Sequence, residues 1–329
     1  LATQELWIRN RPAIEAAAKK TAERLDPAKT LNGNQLVTTV DQLAKDSGLR
    51  NGVGLMGATT INPSSFWDFL HKKHFRIGAC DWSIGKTADV TGLQLAKDIG
   101  LDGLQVSLGT LKNNMHLREK ELQQQYINMS RKTGVKISSL GIGELNQIPY
   151  KSDPRTEEWV WDSIDVAKNL GVTVILLAFF SKGDLRNDPT GKAEVVKRLK
   201  MVAPKAEKMG ITLGIESYLT AEEHLDIMDR VGSKAVKVYY DFRNAADAGN
   251  DVVKEIKLLG KDNICEIHMK ENGYLLGEGT MDWNGIAHTL EEIGYHGDGW
   301  MQIEWAKPKD MDLLKAYQHN LGFLRNNFK

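Results

Sequence analysis

The sequence has few of the features that mark specialised classes of protein. Only two of its 329 residues are cysteines, Cys80 and Cys265, and both lie in apolar, strand-like runs. Two cysteines so placed do not make a disulfide scaffold, so we interpret them as buried free thiols. Lys and Arg together number 43, as do Asp and Glu, and the formal net charge is zero. A neutral chain has no global attraction to nucleic acid or to an anionic membrane.

Long hydrophobic runs are also missing. No apolar run approaches the roughly 20 residues that a membrane-spanning helix requires, and no signal-peptide pattern is present. We therefore expect neither a membrane nor a nucleic acid as partner. Because the sequence begins at Leu1 rather than Met, its location stays open between the cytoplasm and export after removal of a leader.

What the sequence does contain is the composition of a globular protein, with 41% hydrophobic and 26% charged residues. Residues 1–74 show apolar residues at helical spacing, together with a stretch rich in Gly and Ser near residues 50–65. We predict that residues 1–74 form a helical N-terminal extension and linker. We expect this extension to pack against the outside of the barrel that residues 75–329 are predicted to form, and a role in a homo-oligomer is the alternative.

From residue 75 onward, strand-like and helix-like segments alternate. Eight short apolar runs, the first FRIGACDWS and the last WMQIEWA, are each followed by an amphipathic segment. The first of the predicted helices is ADVTGLQLAKDIG, which starts at Ala88, and the fourth runs from about Lys192 to Met209. Eight strand–helix pairs in about 255 residues predict an α/β protein with a (β/α)8 TIM barrel over residues 75–329. An open doubly wound sheet is disfavoured, because the first strand-to-helix turn, CDWSIGKTAD, lacks the dinucleotide fingerprint. Five predicted helices end at a glycine: Gly100, Gly134, Gly171, Gly210 and Gly294.

Four metal-capable side chains lie at the ends of the last four predicted strands: Glu216, Asp241, His268 and Glu304. Active sites of TIM barrels lie at this end, and neighbouring strands are about 5 Å apart, so the four groups can converge on one ion. The alternative is four unrelated polar residues, each paired with a Lys or Arg. Three carboxylates and an imidazole would, however, repel or stay unsatisfied without a cation. Such ligands suit one Mn²⁺ or Mg²⁺, with Zn²⁺ or Co²⁺ as alternatives.

The same segments resemble the sugar phosphate isomerase/epimerase family of xylose isomerase-like TIM barrels. The similar pieces are GIES, YYD, EIHMKENGYLLGEGTMDW and QIEW, within about residues 75–329. The resemblance implies that the four residues just named bind the metal and that a small-molecule carbohydrate is the substrate. It also implies that a carboxylate, Glu216 or Glu304, removes a carbon-bound proton to give a metal-stabilised enediolate.

Two positions depart from the epimerase pattern of that family. Asn244 stands where those enzymes usually have a histidine, and Lys270 is the basic residue nearest to where they commonly place an arginine. A metal-dependent isomerase or epimerase of a sugar or keto-sugar is the leading hypothesis. The alternative is a metal-dependent lyase or dehydratase that eliminates a β leaving group from a keto-sugar, inosose or 3-keto-glycoside. A non-catalytic carbohydrate-binding barrel is a third hypothesis, and a nuclease is disfavoured because the additional histidines are lacking.

Further candidates lie at or after other strand ends. Lys270, Glu144 and His116 are candidate catalytic residues, although a salt bridge for Glu144 and a helix-end position for His116 are equally simple explanations. Candidate substrate-binding residues are Trp82, Phe180 and Asn244, although aromatic residues at such positions are often part of the core. No Gly-rich phosphate cradle is evident, so the sequence does not predict a phosphorylated substrate.

Overall fold

The computed structural model describes residues 75–295 and 299–328, which form a closed barrel of eight parallel strands in chain order. Each strand pairs with the next, and the last pairs with the first, so the sheet has no free edge. The predicted TIM barrel is therefore confirmed. The strands are β1 Arg76–Cys80, β2 Gly103–Ser107, β3 Lys136–Ile142, β4 Val174–Phe179, β5 Thr212–Ser217, β6 Val236–Asp241, β7 Ile264–Lys270 and β8 Trp300–Glu304.

Helices follow every strand. They are α1 Gly92–Ile99, α2 Lys120–Thr133, α3 Arg155–Leu170, α4 Pro189–Met209, α5 Ala221–Val231, α6 Phe242–Asp247, α7 Val252–Asn263, α8 Trp283–Glu292 and α9 Leu313–Asn327. The short helix α6 is an addition to the predicted set. None of the helices in the described ranges combines the length and the apolar character needed to cross a bilayer. The predicted N-terminal extension, residues 1–74, lies outside the described residues and stays a prediction.

Two helices begin away from their predicted starts. The first was predicted to include Ala88, but that residue has φ 55°, in the left-handed region, and α1 begins at Gly92. Helix α4 begins at Pro189 rather than near Lys192. The Asp188 side chain accepts a hydrogen bond from the first turn of α4, and proline fits a first helical position because its missing N–H has no partner there.

The barrel interior is more polar than the layer between strands and helices. That outer layer contains most of the buried aliphatic side chains, whereas Val174, Leu176, Ala178 and Tyr239 form a separate small cluster. Glu266 of β7 accepts a hydrogen bond from Ser139 of β3 at 2.8 Å, and these strands are not neighbours. The bond therefore crosses the interior, where buried polar groups support the site above them.

Candidate metal centre

The four predicted metal ligands meet at the carboxyl end of the barrel. Glu216, Asp241, His268 and Glu304 each offer one ligand atom, and these atoms all lie within 4.8 Å of one another. None of these four residues is more than 5% exposed. Strand register explains the convergence, because Asp241 pairs with His268 across β6 and β7. The structure thus brings the predicted set together, and metal binding by it stays a prediction.

One ring nitrogen of His268 is surrounded by the three carboxylates. His268 Nδ1 lies 3.0 Å from Glu216 Oε1, 3.7 Å from Glu304 Oε2 and 3.9 Å from Asp241 Oδ2. In the described part of the chain, the buried Asp241 Oδ2 has no hydrogen-bond donor. A buried carboxylate oxygen without a donor, beside two further carboxylates and an imidazole, fits a divalent cation that prefers oxygen ligands.

Lys270 lies directly against this ligand set. Its Nζ is 2.9 Å from Glu304 Oε2 and 3.6 Å from Asp241 Oδ2, so one ammonium group offsets part of the negative charge. Lys270 also donates to Asn244 Oδ1 at 3.1 Å, and Asn244 Nδ2 donates to Glu216 Oε1 at 3.2 Å. Lys270, a predicted catalytic residue, and Asn244, a predicted substrate-binding residue, therefore both lie at the centre.

The unpredicted helix α6 positions two of these groups. Asp241 is its N-cap and accepts a hydrogen bond from Asn244 N at 2.8 Å through Oδ1. The cap satisfies one backbone N–H of the first turn and leaves the other carboxylate oxygen facing the centre. Asn244, three residues later, is carried by the same turn to Glu216.

Burial and neighbouring charges shift the titration of the centre. Burial raises the pKa of Asp241 to about 7, and Glu216 and Glu304 add to the rise while Lys270 opposes it. Burial would lower the pKa of His268, yet the two glutamates raise it to about 9. Lys270 and His268 hold the pKa of Glu304 below its usual value in spite of burial. Protons and a metal cation therefore compete for the same carboxylates.

Trp82 contacts the centre in a way that the sequence did not predict. Its Nε1 donates to Glu304 Oε1 at 2.6 Å, and its ring lies edge-on to His268 with the centroids 6.2 Å apart. Gly141 leaves room for the ring, because a Cβ there would lie 3.0 Å from two of its carbons. Trp82 thus fixes the orientation of Glu304, and its stacking on a sugar stays a prediction.

The remaining candidates lie on the same face without touching the four ligands. Glu144 Oε1 accepts a hydrogen bond from Leu111 N at 3.0 Å, which ties two loops together. His116 lies in a 3₁₀ turn before α2 rather than in the helix itself, and its buried Nε2 has no hydrogen-bond partner among the described residues. Phe180 packs edge-to-face on Tyr218, with centroids 4.8 Å apart. Their predicted functional roles stay predictions.

Two buried residues next to the centre were not singled out as site residues. Gln105 Oε1 lies 3.0 Å from His268 Nε2, and Cys80 Sγ lies 3.3 Å from the same nitrogen. Both cysteines are free thiols, as predicted, and Cys80 is buried. Cys265 is only partly buried, so the prediction that both are buried was wrong for Cys265. A signal for Gln105 does exist in the sequence, since it is an uncharged polar residue inside the apolar strand GLQVSLG. A polar side chain inside a buried strand needs a partner, and in a barrel it is often found across the interior.

A cavity of about 400 Å³ opens at the opposite, amino-terminal end of the strands. None of the four candidate ligands lines it. In TIM barrels that end contributes to stability, whereas chemistry is carried by the carboxyl end. We therefore assign the candidate site to the carboxyl end. Residues that line the cavity include Lys136, Ser138, Thr173, Val174, Cys265 and Trp300.

The fold and the site together define a xylose isomerase-like barrel. The family model described as xylose isomerase-like TIM barrel matches residues 93–327, and the chain belongs to this family. The match begins in α1 and extends to the last residue of α9. It includes all four candidate ligands.

Relatives with assigned activities are sugar epimerases. An Escherichia coli strain K12 protein, provisionally named an L-ribulose-5-phosphate 3-epimerase, is 25% identical over 250 residues, covering 68% of this chain and 87% of that protein. The 2-epi-5-epi-valiolone 7-phosphate 2-epimerase of an Actinoplanes species is 24% identical over 228 residues, covering 66% of this chain and 82% of the enzyme. The crystal structure of D-psicose 3-epimerase with D-tagatose from Clostridium cellulolyticum H10 shares the fold, with a TM-score of 0.66, 18% identity and coverage of 78% and 100%.

Proposed function

We propose that this protein is a divalent-metal-dependent epimerase of a sugar or keto-sugar. One observation carries the proposal: two buried glutamates, Glu216 and Glu304, come from different strands and present oxygens within 4.8 Å of each other beside Asp241 and His268. The epimerase relatives support the reaction class. Metal dependence is supported by the donor set and by the unpaired Asp241 Oδ2.

The four residues Glu216, Asp241, His268 and Glu304 would hold the cation, with Nδ1 as the ligand atom of the imidazole. When bound, Mn²⁺ or Mg²⁺ would polarise the substrate carbonyl and stabilise the negative charge that develops on its oxygen. The distances from Nδ1 to the three carboxylates, 3.0 to 3.9 Å, support this choice of atom.

The two glutamates would exchange the proton on the reacting carbon. One carboxylate removes the proton next to the carbonyl, and the C–H electron pair passes toward the carbonyl oxygen. The other glutamate, in its protonated form, gives its proton to the opposite face as the electron pair returns from oxygen to carbon. This inverts the carbon and leaves that glutamate as a carboxylate, and exchange with solvent restores both groups. Trp82 holds Glu304 through Oε1, and Asn244 holds Glu216 through Oε1, so both carboxylates are fixed before substrate arrives. Lys270 would donate a hydrogen bond to a substrate oxygen from its position beside Glu304.

Elimination, the lyase alternative, gains no specific support. It would require an acid for the leaving group. Glu144 is held by the Leu111 backbone, His116 does not touch the four ligands, and Lys270 lies where it could donate a hydrogen bond in either reaction, so no contact favours elimination. The relatives are named as epimerases of both phosphorylated and free sugars. We therefore propose epimerisation alone and leave the phosphorylation state of the substrate to experiment.

The test is incubation of the protein and Mn²⁺ with ketoses, ketose phosphates and 3-keto-glycosides in deuterated water. We expect an epimer of one compound that carries one solvent deuterium on the inverted carbon, detected by mass spectrometry and NMR. Glu216→Gln should abolish this exchange. The matched control is Glu255→Gln, because Glu255 is also buried but bonds Ala221 N and Tyr240 OH away from the centre. No deuterium in any recovered sugar would refute the proposal.

A further inference from the structure

The two ring nitrogens of His268 have different surroundings. Nδ1 is directed at the carboxylates, whereas Nε2 is directed at β1 and β2, where it meets Gln105 Oε1 at 3.0 Å and Cys80 Sγ at 3.3 Å. His268, Gln105 and Cys80 are all 0% exposed. Bulk solvent therefore does not reach Nε2, and a proton on this nitrogen needs a buried acceptor.

A ring that binds a cation through Nδ1 carries its proton on Nε2, so Nε2 must donate a hydrogen bond. In the described part of the chain, Gln105 Oε1 is the one oxygen within hydrogen-bond distance of Nε2. The thiol of Cys80 is not a competing acceptor, since sulfur accepts weakly and Cys80 Sγ itself donates to Gln105 Oε1 at 3.1 Å. Gln105 Oε1, which has two lone pairs, thus accepts hydrogen bonds from both His268 Nε2 and Cys80 Sγ.

The opposite orientation of the Gln105 amide would reverse this pattern. Its NH₂ group would then point at Nε2, which would have to accept, and the ring proton would move to Nδ1. That proton would stand between the imidazole and the carboxylates and block Nδ1 as a ligand. The observed orientation has a cost, because Gln105 Nε2 is buried with no hydrogen-bond partner in the described residues, and such a group costs about 1–3 kcal/mol.

We propose that Gln105 is a positioning residue that accepts the Nε2 proton of His268 and so keeps the Nδ1 lone pair directed at the metal centre. The inference rests on the metal centre of the proposed function and adds a residue to it. Gln105 is not itself a candidate ligand and acts on the centre only through His268. Partners of this kind, which bond the far nitrogen of a ligating histidine, typically change metal affinity 10–100-fold when removed.

Metal titration of the full chain is the first test. Gln105→Leu should raise the Mn²⁺ dissociation constant, measured by isothermal titration calorimetry, by roughly 10–100-fold. Gln105→Glu keeps an oxygen acceptor and should retain wild-type affinity or exceed it. The matched control is Gln302→Leu, because Gln302 is equally buried and pairs with His268 in the strand register, yet its side chain is directed at Glu266. That control and Cys80→Ala should leave the affinity unchanged.

The second test observes the Nε2 proton directly and needs no metal. In ¹⁵N-histidine-labelled protein, His268 should show a slowly exchanging Nε2–H resonance, assigned by its loss in His268→Ala. The resonance should disappear or exchange rapidly in Gln105→Leu and persist in Gln302→Leu and Gln105→Glu. Wild-type Mn²⁺ affinity and a persistent resonance in Gln105→Leu would overturn the inference. So would the loss of both in Cys80→Ala.

The two tests separate this inference from the proposed function. If the wild-type chain bound no divalent cation, the metal-dependent epimerase would be refuted. The dependence of the Nε2–H resonance on Gln105 would still establish that Gln105 positions His268. If metal binding and epimerisation were found but neither readout changed in Gln105→Leu, the proposed function would stand and the role of Gln105 would be refuted.

Discussion

The two carboxylate oxygens of Asp241 have different surroundings and different roles. Oδ1 caps helix α6 by accepting from Asn244 N, whereas Oδ2 has no donor and faces the other carboxylates. The second oxygen therefore serves the centre and not the stability of the barrel. Burial and the neighbouring glutamates raise the pKa of this carboxyl to about 7, so its charged form is disfavoured at this position.

We predict that Asp241→Asn stabilises the protein in the presence of a chelator while it removes metal binding. The amide keeps an oxygen for the α6 cap and removes a buried negative charge. The raised pKa of Asp241 indicates that burial and repulsion by Glu216 and Glu304 outweigh the attraction of this charge to Lys270. The free energy of unfolding in EDTA, measured with urea, should rise by on the order of 1 kcal/mol, the equivalent of about one pKa unit. Function and stability commonly oppose each other in this way at active sites.

The control for that prediction is Glu255→Gln. Its carboxylate accepts hydrogen bonds from Ala221 N at 3.0 Å and Tyr240 OH at 2.9 Å, so its loss should lower stability. If Asp241→Asn lowered the free energy of unfolding as Glu255→Gln does, the carboxylate would be a stabilising group and our account of the centre would be wrong.

Contacts of single residues also separate the parts of the site that a local sequence pattern encodes from those that it does not. The ends of β5 to β8 could be read as one ligand set, because each strand terminates in a metal-capable residue. The hydrogen bond between Trp82 and Glu304 joins residues 222 positions apart, and that between Gln105 and His268 joins residues 163 apart. Neither follows from local pattern, since it depends on which side chains the closed barrel turns inward.

Among the elements, the loop between β7 and α8 is organised by one buried carboxylate. Glu271 is 0% exposed and accepts hydrogen bonds from Thr280 N at 2.8 Å, Met281 N at 3.0 Å and the Trp283 indole. Gly279 allows this approach, because a Cβ there would overlap the Glu271 carboxylate. The loop follows directly after Lys270, so its order bears on the rim of the candidate site.

We predict that Glu271→Ala lowers the free energy of unfolding by about 3 kcal/mol, since it leaves two backbone donors and an indole N–H without a partner. Urea unfolding measures the loss, and limited proteolysis should cut the loop faster. Glu278→Ala is the matched control in the same loop. Glu278 has a side chain 55% exposed and lies 4.0 Å from its nearest basic partner, His319, so its loss should cost less than about 0.5 kcal/mol. Equal losses in the two variants would contradict this role of Glu271.

Loop backbones of the barrel differ between its two ends. Helices α1 to α5 each end at a glycine of positive φ, which lies in the connections to the next strand. Non-glycine residues of positive φ in the described ranges all lie in the connections that follow strands, on the face of the candidate site. Strain of this kind tends to collect at functional sites. The residues are Ala88, Asn114, Met115, Ser181, Asn187, Asn272 and Trp305.

As a whole molecule, the described barrel closes on itself and has its own core. Strand β8 pairs with β1, and buried side chains from strands and helices form one large apolar cluster. The eight strands and the helices that follow them thus enclose one apolar core in the described part of the chain. The role of the N-terminal segment, residues 1–74, is open to a direct test.

We predict that deletion of residues 1–70 lowers the melting temperature or changes the oligomeric state but leaves metal binding intact. The reason is the sequence itself, in which Trp7, Ile14, Leu36 and Val40 are spaced for amphipathic helices that need an apolar partner. Differential scanning calorimetry, light scattering and elemental analysis of the truncated protein measure the three properties. Unchanged melting and assembly together with lost activity would mean that the segment covers the active site.

The fold class and the candidate ligands could both be predicted from local sequence patterns. Alternation of apolar runs and amphipathic segments is a local signal, and eight repeats of it in one domain leave few architectures other than the closed barrel. The ligand positions follow from the same signal, because the last residues of parallel strands share one end of the barrel.

The orientation of those ligands, in contrast, follows from packing in the folded barrel. The placement of Lys270 between Asp241 and Glu304, and the acceptor for His268, depend on contacts between different strands of the barrel. Barrel closure brings these strands together, and burial makes each unpaired polar atom costly. The partners that satisfy or oppose the ligands are thus set by packing, which no local pattern encodes.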